Sequence, residues 1–299
     1  MSKYLITGFS GFIGSHLTER LLNEGHEVIG IDRSIKFGNI QKDHWNLKMY
    51  HENILGNIAD LFKDVDIVVH LAALTRPQWS IKYPYESSEV NVMGTIKMLE
   101  HSEINGVKRF IFLSSSNLYG DNVYPTPEDA VPHPMNTYAL SKLVGEQYCR
   151  LFEDLYGLEF NAIRPFNAYG SRMPTSGIYT SAVATYIHAL KNNIPFLKFG
   201  DGNQRRDFVY VDDIVEQIML MVTSKVHGEV FNCGFGKNYS INEMLELVRK
   251  IMGKQGEPRF KSKQYEPDQT LADISKAEKL LGWKPKIDLE EGLRRTING

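Results

Sequence analysis

The sequence predicts an α/β fold in which a doubly wound parallel sheet is accompanied by a smaller C-terminal α/β lobe. Over the first half of the 299 residues, short apolar segments alternate with longer amphipathic segments of helical spacing. The apolar segments are hydrophobic at successive positions, which is typical of parallel strands that helices cover on both faces. A glycine-rich turn between the first strand and the first helix is the third observation.

The elements of the sheet follow one another along the chain. Residues 4–7 predict the first strand, and residues 15–23 carry leucines at helical spacing and end near Gly25, which suits a helix C-cap. Three further apolar segments predict strands, with a helix before the last of them: 28–32, 66–72, and 109–114 after the helix 86–104.

Beyond residue 165 the alternation loosens. Loops rich in Gly, Pro and Asn surround residues 174–177 and 200–203, and four segments have helical spacing: 178–190, 211–222, 241–251 and 290–297. We therefore expect one domain over residues 1–165 and an interleaved lobe over residues 166–299.

The composition excludes several classes of function. Lys and Arg number 34 against 36 Asp and Glu, a net charge of −2, so no basic face for nucleic acid is expected. Two cysteines, Cys149 and Cys233, leave no disulfide framework, and the nine histidines lack paired-ligand spacing for a metal. No segment approaches the roughly 18 apolar residues of a membrane span. We expect a cytoplasmic protein without a metal, nucleic-acid or membrane partner.

Three glycines after the first strand predict a dinucleotide site. Gly8 permits a tight turn, Gly11 lets the backbone approach a pyrophosphate, and Gly14 lets the helix pack closely against the strand. Asp32 ends the second strand, where a carboxylate accepts hydrogen bonds from ribose hydroxyls. This Rossmann-type pattern favours NAD, because Asp32 repels the 2′-phosphate of NADP, although the neighbouring Arg33 weakens that preference. A ligand-free glycine turn would not require this register.

A second candidate site contains a tyrosine and a lysine. Tyr138 and Lys142 lie four residues apart, on one face of a predicted helix, which alone is also compatible with a solvated face. Serines at 114–116 follow a strand, at the end where open parallel sheets bind ligands. A hydroxyl, a phenol and an ammonium would converge there on one substrate oxygen. Tyr138 would act as base, with Lys142 and a cationic nicotinamide favouring its phenolate.

As a set, these motifs resemble the extended short-chain dehydrogenase/reductases, and among them the nucleotide-sugar epimerases and dehydratases. The UDP-glucose and UDP-N-acetylglucosamine 4-epimerases are the most similar subgroup. The resemblance covers nearly the whole chain and rests on nine segments: Gly8–Gly14, His70–Ala73, Asn91–Thr95, Ser114–Gly120, Tyr138–Lys142, Arg164–Gly170, Arg206–Asp213, Ala272–Asp273 and Leu281–Pro285.

The resemblance implies roles for individual residues. Ser115 would be the catalytic hydroxyl, Tyr138 the base, and Lys142 the group that binds the nicotinamide ribose. Further contacts with NAD would come from the glycine loop, the strand ends and one helix: Gly8, Gly11, Phe12, Ile13, Gly14, Asp32, Asn53, Ile54, Leu71, Ala72, Ala73, Asn91, Ser114 and Pro165. Asn53 stands where the family usually has Asp.

The resemblance also implies contacts with a sugar nucleotide. Its residues would be Ser115, Asn117, Asn167, Arg206, Lys263, Glu266 and Thr270. Arg206 matches the diphosphate-binding arginine, whose planar guanidinium recognises phosphate in a bidentate manner. Lys263 and Glu266 fall on a second phosphate-binding element, Arg-x-Gly-Asp, in which Tyr265 replaces the glycine. Lys263 keeps the charge and loses the fork, which is the largest departure from the family.

The residues after the catalytic serine restrict the reaction. Family dehydratases and decarboxylases carry carboxylates where this chain has Ser116 and Asn117. Their absence disfavours both reactions and leaves NAD-dependent 4-epimerisation through a transient 4-keto sugar, with 4-keto-sugar reduction as the alternative. A non-enzymatic nucleotide sensor on the same fold is disfavoured, because Ser115, Tyr138 and Lys142 are all present.

Two expectations concern substrate size and assembly. Thr270 occupies a position where family members limit the size of the sugar, so its small side chain predicts room for an N-acetyl group. The substrates would then include UDP-N-acetylhexosamines as well as UDP-hexoses. The helices around residues 86–104 and 135–156 correspond to the family's dimer interface, which implies a homodimer through a four-helix bundle.

Overall fold

The structure is a computed structural model that describes residues 1–40, 43–175, 181–262 and 265–299. Its strands are, in chain order, β1 (Lys3–Thr7), β2 (Glu27–Asp32), β3 (Leu47–His51), β4 (Ile67–His70), β5 (Arg109–Leu113), β6 (Glu159–Pro165), β7 (Ala168–Tyr169), β8 (Phe196–Phe199), β9 (Arg205–Asp207), β10 (Val209–Tyr210), β11 (Glu229–Cys233), β12 (Asn238–Ser240) and β13 (Pro258–Lys261). Its α-helices are α1 (Phe12–Asn23), α2 (Pro77–Lys82), α3 (Pro84–Ser88), α4 (Gly94–Ile104), α5 (Thr137–Tyr156), α6 (Ala182–Asn192), α7 (Val211–Thr223), α8 (Ile241–Met252), α9 (Ser275–Leu281) and α10 (Leu289–Asn298).

The chain forms two compact units, each built from three segments. The first unit contains Met1–Leu118, Pro134–Arg164 and Val215–Phe231; the second contains Tyr119–His133, Pro165–Ile214 and Asn232–Gly299. The functional division into a cofactor domain over 1–165 and a sugar-nucleotide lobe over 166–299 stays a prediction.

A seven-stranded sheet has the strand order β11-β6-β5-β4-β1-β2-β3. Each neighbouring pair among β1 to β6 is parallel. β1 lies between β2 and β4, so the order of the strands along the chain reverses at this point, where open α/β sheets bind their ligands. This arrangement confirms the predicted fold class. The side chains of Leu5, Val68, Phe110 and Phe112, which belong to strands of this sheet, are fully buried and form part of the hydrophobic core.

The caps of α5 position its first turn. The side chain of Asn136 accepts a hydrogen bond from the amide of Ala139, which is a standard N-cap interaction, and places Tyr138 at the second helical residue. The helix ends at Gly157, whose φ of 73° suits glycine. Tyr138 and Lys142, one turn apart, both point into buried surroundings.

The helix predicted over residues 86–104 is interrupted. The structure has α3, then a π-helical turn at Glu89–Met93, and then α4. The buried amide of Asn91 accepts a hydrogen bond from the N–H of Leu74 at 2.7 Å and donates to its carbonyl at 3.1 Å. Hydrophobic periodicity carries no information about such a tertiary contact, so it predicts a continuous helix.

The second unit contains three small two-stranded sheets. β7 pairs with β10 and β8 with β13 in parallel, whereas β9 pairs with β12 antiparallel. The helix predicted over 178–190 is present from Ala182 as α6. Positions 178–180 of that prediction, and 176–177 of the loop predicted before it, lie outside the described residues.

Candidate active site

The turn between β1 and α1 has space for glycine alone at two positions. Gly8 has a φ of 70°. A Cβ atom at Gly14 would lie 2.1 Å from the carbonyl oxygen of Gly8, and one at Gly8 would lie 3.0 Å from the amide nitrogen of Ala72. α1 starts at Phe12 with no side-chain cap and no acidic residue in its first turn. The N–H groups of that turn are therefore suited to an anion such as a pyrophosphate.

Asp32 lies at the carboxyl end of β2 and is half-buried. One carboxylate oxygen accepts a hydrogen bond from the Ser10 hydroxyl at 2.7 Å, and the other accepts one from the Ser34 amide at 3.0 Å. The Asn39 amide in turn donates to the Ser10 carbonyl at 3.1 Å. These bonds hold the carboxylate at the position predicted for the ribose contact, and each oxygen keeps acceptor capacity.

Most other predicted cofactor residues follow the strands of the same sheet. Asn53 and Ile54 follow β3, residues 71–73 follow β4, Ser114 follows β5, and Pro165 is the last residue of β6. Because carboxyl ends of parallel strands lie at one edge of a sheet, the fold places these residues at that edge. Their contacts with NAD remain predictions.

Ser115, Tyr138 and Lys142 come together in the first unit. The Ser115 side chain is hydrogen-bonded to that of Tyr138 and also accepts a bond from the Asn117 amide at 3.2 Å. Lys142 donates to the Leu113 carbonyl at 2.7 Å, and its Nζ atom lies 6.0 Å from the centroid of the Tyr138 ring. The three side chains are buried, with exposed fractions of 7%, 7% and 2%. The hydroxyl, phenol and amine predicted from the sequence thus occupy one cluster.

Burial shifts the pKa values of Tyr138 and Lys142 in the directions that favour their neutral forms. Burial raises the pKa of Tyr138, and the hydrogen bond with Ser115 opposes that rise. Burial lowers the pKa of Lys142 to about 7, against the opposing fields of Cys149 and Glu146. A positive charge near Tyr138 would favour its phenolate.

A buried ion pair behind this cluster was not predicted from the sequence. The Arg164 guanidinium donates to both oxygens of Glu146, from Nε at 2.8 Å and from Nη2 at 2.6 Å, and the Ser114 hydroxyl donates to the same carboxylate. The Arg164 and Glu146 side chains are 6% and 3% exposed. The available signal was the position of Glu146, one turn after Lys142 on the same helical face.

The second unit holds four of the predicted substrate residues. Nη2 of Arg206 lies 3.1 Å from the Glu266 carboxylate, and Nη1 donates to the carbonyl of Arg205 at 2.9 Å. The Asn167 amide donates to the Thr270 hydroxyl at 3.1 Å. The Thr270 amide donates to the Arg205 carbonyl at 3.0 Å, so Thr270 and Asn167 lie next to the strand that carries Arg206.

Two further predicted substrate residues are not part of the contacts described above. Lys263, the predicted second cation, lies outside the described residues. Asn117 is exposed in the first unit, beside Ser115. Their contacts with a sugar nucleotide stay predictions.

Asp207 anchors the Arg206 segment and was not singled out from the sequence. Its carboxylate accepts hydrogen bonds from the amides of Phe235 at 2.7 Å, Ala272 at 3.0 Å and Gly236 at 3.1 Å. Burial raises its pKa to about 6, and the three amides oppose that shift. The carboxylate therefore joins two backbone segments, at 235–236 and at Ala272, to its own strand next to Arg206 and Thr270.

The described ranges contain neither a membrane-spanning helix nor a metal-binding cluster. In that part of the chain, no helix combines the length and apolar character that crossing a bilayer demands. The same ranges contain no group of three or more His, Cys, Asp or Glu side chains arranged to hold a metal ion.

The chain matches known proteins over almost its full length. The model of the "NAD dependent epimerase/dehydratase family" matches residues 4–234. A protein of Methanocaldococcus jannaschii named "Putative UDP-glucose 4-epimerase" is 38% identical over 303 residues, which are 98% of this chain and 97% of that protein. The chain belongs to the NAD-dependent epimerase/dehydratase family. The resemblance stated from the motifs is thereby confirmed.

Solved structures of the same family have the same fold. The UDP-glucose 4-epimerase of Thermotoga maritima, in a structure with UDP-glucose, superposes with a TM-score of 0.95 at 35% identity over 99% of this chain and 97% of that one. The UDP-N-acetylglucosamine 4-epimerase of Methanobrevibacter ruminantium, in complex with UDP-N-acetylmuramic acid, superposes with a TM-score of 0.95 at 32% identity, again over 99% and 97%.

Family membership makes this chain an NAD-dependent enzyme, as predicted. The residues present fit that cofactor, since the absence of a Cβ atom at Gly14 lets α1 start close against the glycine turn, and the first turn of α1 carries neither a side-chain cap nor an acidic residue that would compete with an anion. The Asp32 carboxylate is held in place by the Ser10 hydroxyl, and its contact with the ribose stays a prediction.

Proposed function

We propose that this chain is a 4-epimerase of UDP-sugars that retains NAD and acts through a transient 4-keto sugar. The observation that carries the proposal is the buried cluster of Ser115, Tyr138 and Lys142 beside the carboxyl end of β5. Its support is membership of the family and similarity to proteins named as UDP-sugar 4-epimerases.

In the proposed mechanism Tyr138 moves the proton of the sugar 4-hydroxyl. Ser115 holds that oxygen in line through its hydroxyl, which already bonds to Tyr138. NAD bound at the glycine turn would supply the hydride acceptor for C4 and the hydride donor for the opposite face of the 4-keto sugar, and its positive ring would favour the Tyr138 phenolate. Tyr138 then gives the proton back, so no net redox change occurs and the cofactor need not leave.

Arg206 and Lys263 are proposed to hold the diphosphate while the sugar turns. The guanidinium of Arg206 is buried and paired with Glu266, so it is held rigidly and can present its remaining N–H groups to phosphate. A tether at the diphosphate lets the 4-keto sugar present its other face without leaving the enzyme.

The choice of reaction rests on residues 116 and 117. Ser116 and Asn117 provide no carboxylate for dehydration or decarboxylation.

To test the function, the purified protein is denatured, the released cofactor is identified by mass spectrometry, and the protein is assayed with UDP-, dTDP- and GDP-sugars. We expect released NAD and interconversion of UDP-sugars at C4. An empty site with consumption of NADPH would instead indicate a 4-keto-sugar reductase.

We propose that the small side chain of Thr270 leaves room for the N-acetyl group of a UDP-N-acetylhexosamine. Thr270→Tyr fills the space of a small side chain, so we expect turnover of UDP-N-acetylglucosamine to fall about tenfold or more while UDP-glucose is retained. Thr270→Ser keeps both the small volume and the hydroxyl that accepts from Asn167. This control should keep the wild-type ratio of the two activities. Equal loss of both substrates in Thr270→Tyr, or a wild-type enzyme inactive on N-acetylated sugars, would contradict the proposal.

We also propose a homodimer through α4 and α5. Leu140, Leu151 and Leu155 lie on one face of α5 and are 49%, 45% and 62% exposed, an unusual exposure for three leucines on one helix. Leu151→Glu/Leu155→Glu should convert the dimer to a monomer in light scattering coupled to size exclusion. Val131→Glu changes an exposed residue of the second unit and should leave the mass unchanged. A monomeric wild type would refute this assembly.

A cytoplasmic location, expected from composition, also remains a proposal.

A further inference from the structure

A buried line of hydrogen bonds passes through His70, a residue that the proposed mechanism does not use. The Ala72 amide donates to Thr7 Oγ1 at 3.1 Å, which lies 2.7 Å from His70 Nδ1. On the other side of the ring, His70 Nε2 lies 3.1 Å from Thr95 Oγ1, which donates to the Asn91 carbonyl at 2.7 Å. Thr7, His70 and Thr95 are at most 1% exposed, so these bonds have no competition from solvent.

The two ends of this line determine the direction of every bond in it. The hydroxyl proton of Thr95 is used on the Asn91 carbonyl, so Thr95 must accept its other bond from an Nε2–H of His70. At the opposite end, Thr7 accepts from the Ala72 amide and is free to donate its own proton to Nδ1. One protonation state satisfies all groups, namely the neutral ring with its proton on Nε2. Burial, with a contribution from Lys142, lowers the pKa of His70 to about 3, in agreement with a neutral ring.

The line ends on the segment that borders the glycine turn. We call residues 71–74 the cradle loop. Its Ala72 amide is the atom nearest to a Cβ placed at Gly8, and its Leu74 is held by the Asn91 side chain. Asn91 also donates to the Ser141 hydroxyl at 3.0 Å, which donates to the Tyr138 carbonyl at 2.8 Å. The cradle loop is therefore tied at both ends to the π-helical turn and, through it, to α5.

We propose that His70 is a positioning residue, which in its neutral Nε2–H form fixes the cradle loop against Gly8 and so shapes the NAD site. The proposal rests on the cofactor site described above. His70 acts through Thr7 and Ala72 on one side and through Thr95 and Asn91 on the other. Its two nitrogens are both engaged with protein, so it holds the loop and exchanges no proton with a ligand.

The first test determines the tautomer and the charge state of the His70 ring by NMR. Long-range ¹H–¹⁵N spectra of ¹⁵N-histidine-labelled protein distinguish the two neutral tautomers and the imidazolium. The His70 signals are assigned by their loss in His70→Gln. We expect the Nε2–H tautomer at every pH from 5 to 8. A proton on Nδ1, or titration within that range, would overturn the proposal.

The second test breaks the line without touching the ring. Thr95→Val has the same shape but neither accepts from His70 nor donates to Asn91, whereas Thr95→Ser keeps the hydroxyl. Leaving buried partners unsatisfied should weaken NAD binding about tenfold in the valine variant and restore it in the serine variant. Ser102→Ala removes another buried hydroxyl of α4, which bonds to Met98 outside the line, and should bind NAD as wild type does.

The outcomes distinguish a failure of the positioning role of His70 from a failure of the proposed cofactor site. Wild-type NAD affinity in Thr95→Val overturns the positioning role. Equal weakening in Thr95→Ser and Thr95→Val, or in Ser102→Ala, also overturns it, because the loss would then follow general destabilisation of α4. A wild-type protein that binds no NAD refutes the proposed cofactor site itself, and the tautomer measurement still decides whether the line exists.

Discussion

Tyr138→Phe should lower turnover of UDP-sugars by roughly 10²–10⁴-fold while the protein keeps its NAD. The variant removes only the phenolic oxygen, which bonds to Ser115 inside the buried cluster. The ring remains, so packing around a residue that is 7% exposed is preserved. The proton of the sugar 4-hydroxyl then has no acceptor at that position, and the first step of the reaction fails.

Turnover, NAD content and thermal stability of Tyr138→Phe should be measured together. Tyr156→Phe is the matched control, because it removes a phenol from the same helix at a position that is 56% exposed. We expect wild-type turnover in the control. Full activity in Tyr138→Phe would remove this residue from the mechanism, and loss of NAD with activity would indicate a role in cofactor binding instead.

Glu146→Leu should lower the free energy of unfolding by about 3–5 kcal/mol, because Arg164 would keep its charge inside the protein without a counterion. The Arg164 side chain is only 6% exposed, and both of its bonds to Glu146 would be lost. The field of Glu146 also raises the pKa of Lys142, so the remaining folded protein should contain a less protonated Lys142.

Urea unfolding measures this effect, and two further variants identify its cause. Glu246→Leu breaks an ion pair with Arg249 in which the glutamate is 66% exposed, and it should destabilise much less. Glu146→Leu/Arg164→Met removes both charges and should recover part of the lost stability, since replacing a whole buried pair is often tolerated. If Glu146→Leu were no more harmful than Glu246→Leu, the buried pair would not hold this part of the fold together.

The sequence predicts the fold and the candidate site wherever a local pattern carries the information. The glycines at 8, 11 and 14 have a steric requirement that is visible in their spacing, and the structure places the turn and α1 as expected. The Tyr138 and Lys142 pair is likewise a local pattern on one helical face. Apolar runs predict most strands of the sheet, since strands buried on both faces need them.

The parts that the sequence did not predict depend on contacts between distant segments. The π-helical turn at Glu89–Met93 accompanies a contact between Asn91 and Leu74. The Glu146 and Arg164 pair joins residues 18 positions apart, on α5 and β6. The three amides on Asp207 come from segments 28 to 65 residues away. Periodicity and propensity describe neighbours along a chain, so such partners become visible only in the folded protein.

The position of a deuterium label tests the proposed epimerisation most directly. The wild-type protein is incubated with UDP-[4-²H]glucose in ordinary water, with no added cofactor, and the UDP-galactose formed is analysed by mass spectrometry and NMR. We expect deuterium to be retained at C4, because the hydride removed from that carbon returns to it on the other face. Product whose deuterium has exchanged with solvent, or product that forms only when NADPH is added, would contradict a 4-epimerase with retained NAD.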